Sequence, residues 1–245
     1  MQIILAPAKN MKLVEDSPYK LSEPLYLAKT QVLLDKLKLL TFDKLKKVYK
    51  ASDEIVLDNL ERLKNTELNK LLSPACLAYN GIAFKHLAAN VFSDEEYQYL
   101  NEHLRILSGF YGVLRPFVGI VNYRLEMQSQ IDSLNLYDFW QDLIYKACKD
   151  DVIINLSSKE YSKCIEDYLE DDVRYINIHF VEKKKDKYVI KATYAKMARG
   201  EMLRFMTTNK IEDVEDIKKF NSLNYVYLAS LSDDNNFYYE RIVWK

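Results

Sequence analysis

Glycine is nearly absent from this chain, and its placement constrains the fold more than any other feature. With five glycines in 245 residues, the backbone has few places to take positive φ or to let another group come close. Three of the five, Gly109, Gly112 and Gly119, fall within residues 103–127, so irregular backbone is concentrated there. Arg105, Arg115 and Arg124 bracket these glycines, and Ser108, Tyr111, Tyr123 and Glu126 lie among them. A stretch uniting glycines, guanidinium groups and phenols suits an anionic partner.

The residues leading into that stretch predict its local form. Ser93-Asp94-Glu95-Glu96 reads as a capping box. The helix it opens places Tyr97, Leu100, Leu104 and Leu107 on one core-facing stripe, with Asn101, Arg105 and Ser108 on a neighbouring polar face. Gly109-Phe110-Tyr111-Gly112 then breaks the helix, and Arg115-Pro116 limits its return. A helix, a glycine turn and a short helical return resemble a helix-hairpin-helix, whose backbone N–H groups would face a phosphate.

The flanking sequence supplies strands with polar residues at their carboxyl ends. Gln2–Leu5 is an apolar run closed by Pro7, and Lys9 and Asn10 follow it. Residues 151–156 form a second such run, ending in Asn155 and followed by Ser157 and Ser158 as the cap of a helix. Ligands of open α/β sheets gather at this edge, where free N–H groups of the next helix favour an anion. Residues 25–72 read as helices, and Ser73-Pro74 opens a further helical stretch broken near Tyr79-Asn80-Gly81. That glycine between two aromatics, Tyr79 and Phe84, suggests a kink or a functional bend. An amphipathic helix spans residues 136–149. Residues 174–181 and 188–194 pair as a hairpin, and 225–230 and 237–244 close the chain as strands.

A helix beginning near Ala198 would align Arg199 with Met202, Leu203 and Met206. A guanidinium on a core-facing stripe needs a partner, because a lone buried charge costs several kcal/mol. Arg199 is therefore expected to meet a carboxylate such as Glu126, or a bound phosphate. Lys196 lies three residues before it, and Tyr194 just upstream.

Composition excludes several functions. The chain is 49% apolar and 29% charged, with no run of the roughly 18–20 apolar residues a membrane span requires. Its opening residues lack the basic flank of a secretion signal, so a cytoplasmic protein without a membrane partner is expected. Net charge is −1, which argues against a uniformly basic nucleic-acid coat. Eight Lys or Arg between residues 183 and 204, against Asp186 and Glu201, nevertheless make one region locally basic. Cys76, Cys148 and Cys164, with His86, His103 and His179, show no metal-ligand spacing, so no metal or cofactor is expected. No linker or repeat divides the chain, which reads as a single domain over residues 1–245.

The sequence also resembles a known family. Ala6-Pro7-Ala8-Lys9, residues 103–109, Tyr111-Gly112-Val113-Leu114-Arg115-Pro116, and Tyr123-Arg124-Leu125-Glu126-Met127 carry the likeness. Residues 154–158 with Glu160-Tyr161, Tyr194-Ala195-Lys196 with Ala198-Arg199-Gly200, and Phe220-Asn221-Ser222 complete it. In this order they resemble the YaaA family of bacterial peroxide stress resistance proteins. The resemblance implies an α+β fold, a mixed central β-sheet wrapped by helices (the cantaloupe fold), with a helix-hairpin-helix and a positively charged cleft. It also implies binding of double-stranded or structured DNA, and protection from peroxide through lower free iron and less DNA damage. Two stretches differ from the family pattern. Ala6 and Asn10 stand where Ser and Thr or Asp are usual, and Asn80-Gly81-Ile82-Ala83-Phe84 where Lys-Gly-Asp-Val-Tyr is.

Two functions are expected to compete. In the first, Lys9, Asn10, Arg105, Ser108, Gly109, Tyr111, Gly112, Arg115, Arg124, Asn155, Ser158, Lys196 and Arg199 form a phosphate-binding cleft for DNA. In the second, the same cleft holds a nucleotide or nucleobase for an enzyme, with Lys9, Glu126 and Tyr194 as acid–base candidates. Neither a phosphate-cradling glycine motif nor a nucleophile with an evident base supports the second. Direct iron chelation has no grouped ligand set behind it.

Overall fold

The computed structural model describes residues 1–242, apart from Asp16 and Pro18. Its centre is a mixed eight-stranded sheet. In chain order the strands are β1 (Gln2–Leu5), β2 (Leu104–Ser108), β3 (Gly112–Leu114), β4 (Val152–Asn155), β5 (Arg174–Lys184), β6 (Lys187–Val189), β7 (Tyr225–Tyr227) and β8 (Asn236–Arg241). Across the sheet they run β7-β8-β5-β4-β1-β2-β3, with β6 folded back on β5. The inner five, β8, β5, β4, β1 and β2, are all parallel, and an antiparallel strand closes each edge.

Near-continuous apolar runs explain that arrangement, because a parallel strand covered on both faces has no polar side to show. Ile3, Ile4, Leu104, Ile106, Leu107, Ile153 and Ile154 are all fully buried. Ile4 sits opposite Arg105 on one side and Asn155 on the other, so the carboxyl ends of β1, β2 and β4 open on one edge.

Helices cover the sheet. The predicted helical region resolves into α1 (Leu27–Lys38), α2 (Phe42–Tyr49) and α3 (Asp53–Asn65). Next come α4 (Ala75–Ala78) and α5 (Ile82–Leu87), with the expected break at Tyr79-Asn80-Gly81 between them. Ser73-Pro74 is not helical; it pairs with Gly119–Ile120 as a two-residue strand. The stretch 136–149 divides into α7 (Leu136–Trp140) and α8 (Leu143–Cys148), because Gln141 takes φ 48°. After α9 (Lys159–Glu166), the long helix α10 (Ala192–Thr208) begins six residues earlier than predicted, and α11 (Val214–Ile217) follows. The closing strand ends at Arg241, and the part predicted beyond residue 242 lies outside the described residues. No helix among the described residues is long and apolar enough to cross a membrane.

The principal correction concerns residues 104–114. Helix α6 (Asp94–His103) does open on the predicted capping box, with both reciprocal bonds formed at Ser93 and Glu96. It stops at His103, and Leu104–Ser108 is a strand of the sheet, one in from its edge, rather than a continuation of the helix. The helix-hairpin-helix expected here is instead a β-hairpin, with Ser108 opposite Gly112. All five residues of β2 are buried, so the strand lacks period-two alternation, and its leucines continue the helical spacing of Tyr97 and Leu100 by coincidence.

Candidate functional site

Helix–sheet packing leaves a cavity of about 330 Å³ at the carboxyl edge of β1 and β4. Five segments build it. The loop after β1 brings Ala6, Lys9 and Asn10, and it is held against the break between α4 and α5 by two backbone bonds. Lys12 N–H donates to the Ala78 carbonyl and Asn80 N–H to that of Asn10, both at 2.8 Å. The break adds Asn80, Gly81, Ile82, Ala83 and Phe84. The loop after β3 carries Tyr123, Arg124 and Glu126, while Ser158, Glu160 and Tyr161 follow β4. Lys196 and Arg199 reach in from the first half of α10. Gly200 permits that approach: a Cβ there would overlap the Ala83 carbonyl oxygen and lie 2.8 Å from the His86 Cβ.

Four cations, Lys9, Arg124, Lys196 and Arg199, thus meet two carboxylates, Glu126 and Glu160. Glu126 accepts from Lys9 at 2.7 Å and lies 3.5 Å from Arg124. Arg199 does not reach it, so of the two partners expected for Arg199, a carboxylate or a bound phosphate, Glu126 is not one: Lys9 and Arg124 hold that carboxylate. Burial lowers the Arg199 pKa with no acidic group opposing it, and its Nε is buried without a hydrogen-bond partner among the described residues. Arg124 Nε is in the same condition. An unpaired buried donor costs about 1–3 kcal/mol, so each of these two arginines, both lining the cavity, carries an unmet hydrogen-bonding demand.

Burial raises the Glu160 pKa, opposed by a 3.2 Å bond from Gln128 N–H, raised further by Glu126 and lowered by Lys9. At the back of the cavity the Tyr123 hydroxyl contacts those of Tyr79, at 2.7 Å, and Ser108, at 2.6 Å. Burial pushes Tyr123 up to about 12, so this chain stays protonated at neutral pH and offers hydrogen bonds rather than a base.

The predicted site residues separate into three groups. Lys9, Asn10, Arg124, Glu126, Ser158, Lys196 and Arg199 come together around the cavity. Arg105 and Arg115 do not. The Arg105 guanidinium turns back to the carbonyls of Glu102 and Leu104, and with Arg115 it borders a separate hollow of about 390 Å³. Arg105 is the second residue of β2, and β3 returns antiparallel, so both arginines lie toward the amino edge, away from the cavity.

The third group supports the fold from beneath. Ser108 Oγ accepts from the N–H groups of Phe110 and Tyr111, and the Tyr111 hydroxyl accepts from Val121 N–H. A Cβ on Gly109 would lie 2.8 Å from the Leu125 carbonyl oxygen, and Gly112, at φ 76°, turns against the Trp140 ring. These glycines serve close packing and face no open space. Asn155 spans Asn177 and the Ser157 N–H rather than lining the cavity. Tyr194 is also elsewhere, its ring 3.7 Å from the Arg241 guanidinium carbon.

Sequence reasoning missed Glu160, Tyr161 and the Gly81–Phe84 wall as site residues. One signal was available for the wall: the isolated glycine between Tyr79 and Phe84.

The architecture and the cavity define a class: an α+β protein with a mixed sheet and a hollow, lined by both cations and carboxylates, at the carboxyl edge of its parallel strands. Comparison with known proteins agrees over most of the chain. The family model for peroxide stress protein YaaA matches residues 1–231. A UPF0246 protein of Agathobacter rectalis is 48% identical over 246 residues, covering 98% of this chain and 99% of that protein. Another, from Lactobacillus johnsonii, is 45% identical over 247 residues, covering 99% and 98%. A third, from Desulfitobacterium hafniense, is 46% identical over 242 residues, covering 97% and 96%. The chain belongs to the peroxide stress protein YaaA family.

Proposed function

We propose that this protein binds DNA as part of the peroxide stress response, with the carboxyl-edge cavity and its rim as the phosphate site, and that it thereby limits iron-dependent DNA damage. The observation carrying this reading is the convergence of Lys9, Arg124, Lys196 and Arg199, two of them with an unpaired buried Nε. The phosphate site proposed here is narrower than the one expected from sequence, because Arg105 and Arg115 line a different hollow. A duplex neutralising about three of its phosphates would show a slope of log K against log salt of about −2.7, a loss of roughly 40-fold between about 50 and 200 mM salt. Fluorescence anisotropy with a labelled duplex measures this, and Lys196→Ala is expected to make the slope shallower by about one. Binding that is absent, or indifferent to salt, sinks the proposal.

A second reading, an enzyme acting on a nucleotide or nucleobase, is favoured by one feature: Lys9 and Glu126, two of its acid–base candidates, are ion-paired inside a cavity of small-molecule size. Incubation with nucleotides and DNA followed by product analysis separates the two.

A further inference from the structure

We propose that the carboxyl-edge cavity seats one nucleotide turned out of the DNA strand, rather than the outer surface of an intact duplex; this rests on the DNA-binding reading above. A duplex is a convex rod whose grooves are about 12 and 6 Å wide, and it presents phosphates only on its exterior. Against such a surface the exposed cations suffice: the Lys9 side chain is 60% exposed, and Lys196 is also exposed. The arginines are placed otherwise. Arg124 has a side chain only 12% exposed, and both it and Arg199 keep Nε out of solvent and without a partner. A phosphate on the outside of a helix meets the exposed ammonium groups but not Arg124, whereas the phosphate flanking an extruded nucleotide can approach the arginine surface that lines the cavity.

The shape and lining point the same way. A volume of about 330 Å³ lies at the small end of the range for small-molecule sites, which fits one nucleotide and excludes a base pair. Its wall joins apolar surface from Ala6, Ile82, Phe84 and Leu125 to the acceptors Glu126 and Glu160. Two carboxylates would repel a cavity full of phosphate. They suit the N–H edge of a base instead, while the guanidinium groups take the charge of its backbone. Enzymes and binders that read a single base in this way draw it from the stack into a closed pocket, at the expense of one pairing and two stacking interactions.

The test uses the full chain and a duplex carrying 2-aminopurine at its centre, whose emission rises when the base leaves the stack. Anisotropy of an end label follows binding on the same samples. Saturating protein is expected to raise the emission several-fold. Ala83→Phe fills the cavity without removing a charge, so it should abolish the rise. Should that variant fail to fold by circular dichroism, Ala6→Leu takes its place. A parallel titration with 2-aminopurine deoxyribonucleoside monophosphate reports on the cavity alone. Duplex binding without an emission rise overturns the extrusion proposal and leaves the DNA-binding reading standing. Monophosphate binding that is blocked by Ala83→Phe, with no duplex binding, overturns both and makes the cavity a free-nucleotide site. A rise that survives the cavity-filling variants also overturns the proposal, since the base would then be resting elsewhere.

Discussion

Replacing Arg199 by methionine should stabilise the protein while removing its hold on phosphate. Arg199 lies on α10 one turn before Met202 and Leu203 and two before Met206, all three fully buried. Its guanidinium has no acidic partner among the described residues, and Nε is buried without a bond. Leaving one such donor unsatisfied costs about 1–3 kcal/mol. Methionine fits the same space with nearly the same helix propensity, so the backbone term cancels. Arg199 is only half-buried, and its exposed tip recovers part of the hydration, which reduces the expected gain to about 1–2 kcal/mol. For a chain of this size that corresponds to a rise in Tm of roughly 2–8 °C. Scanning calorimetry of the protein free of DNA measures it directly. A saturating duplex should then raise the Tm of the parent and barely that of the variant, because a ligand stabilises only the state it binds. A variant melting several degrees below the parent would refute this account, since the guanidinium would then be making contacts that hold the fold together.

Three further outcomes follow from other parts of the molecule. Glu182 is buried between Lys191 at 2.6 Å and Arg241 at 2.9 Å; burial works to raise its pKa, but these two bonds prevail and hold it below the usual range. Glu182→Gln should cost about 1–3 kcal/mol at pH 7, discounted for the half-exposed Lys191. A depressed carboxylate contributes its stability above its unfolded pKa of about 4.3 and loses it as pH falls through the folded value, so urea melts of parent and variant should converge below about pH 4. Gly200→Ala should push α10 away from α5, lowering stability by about 2–4 kcal/mol and weakening DNA binding as Lys196 and Arg199 withdraw; unchanged melting would show that the helices can separate freely. Finally, Cys76, Cys148 and Cys164 are buried and free, and burial pushes each thiol up to about 12. A thiol reagent, or peroxide, should leave all three intact in the native protein and reach them after denaturation; rapid native reaction would point to a thiol-based peroxide sensor instead.

Local chemistry was legible before any coordinates. Ser93-Asp94-Glu95-Glu96 specifies a capped helix because donors and acceptors three residues apart satisfy each other, and both bonds form. The apolar runs at Gln2–Leu5 and Val152–Asn155 specify buried strands, and the polar residues after β1 and β4 do reach a common edge. What pattern could not decide was the state of Leu104–Ser108, since a strand buried on both faces and a buried helix carry the same kinds of residue. Its neighbours β1 and β3 made that choice, through hydrogen bonds spanning about a hundred residues of chain in one case. With it went the location of two arginines: as a strand, the segment carries Arg105 toward the amino edge and Arg115 after it, while Arg124 proceeds to the cavity. Likewise, the sequence shows that Arg199 needs a partner, but only packing shows that Glu126 is already held by Lys9 and Arg124 and that no carboxylate among the described residues pairs with Arg199. Periodicity and caps are properties of neighbours in the chain; which charges meet is a property of neighbours in space.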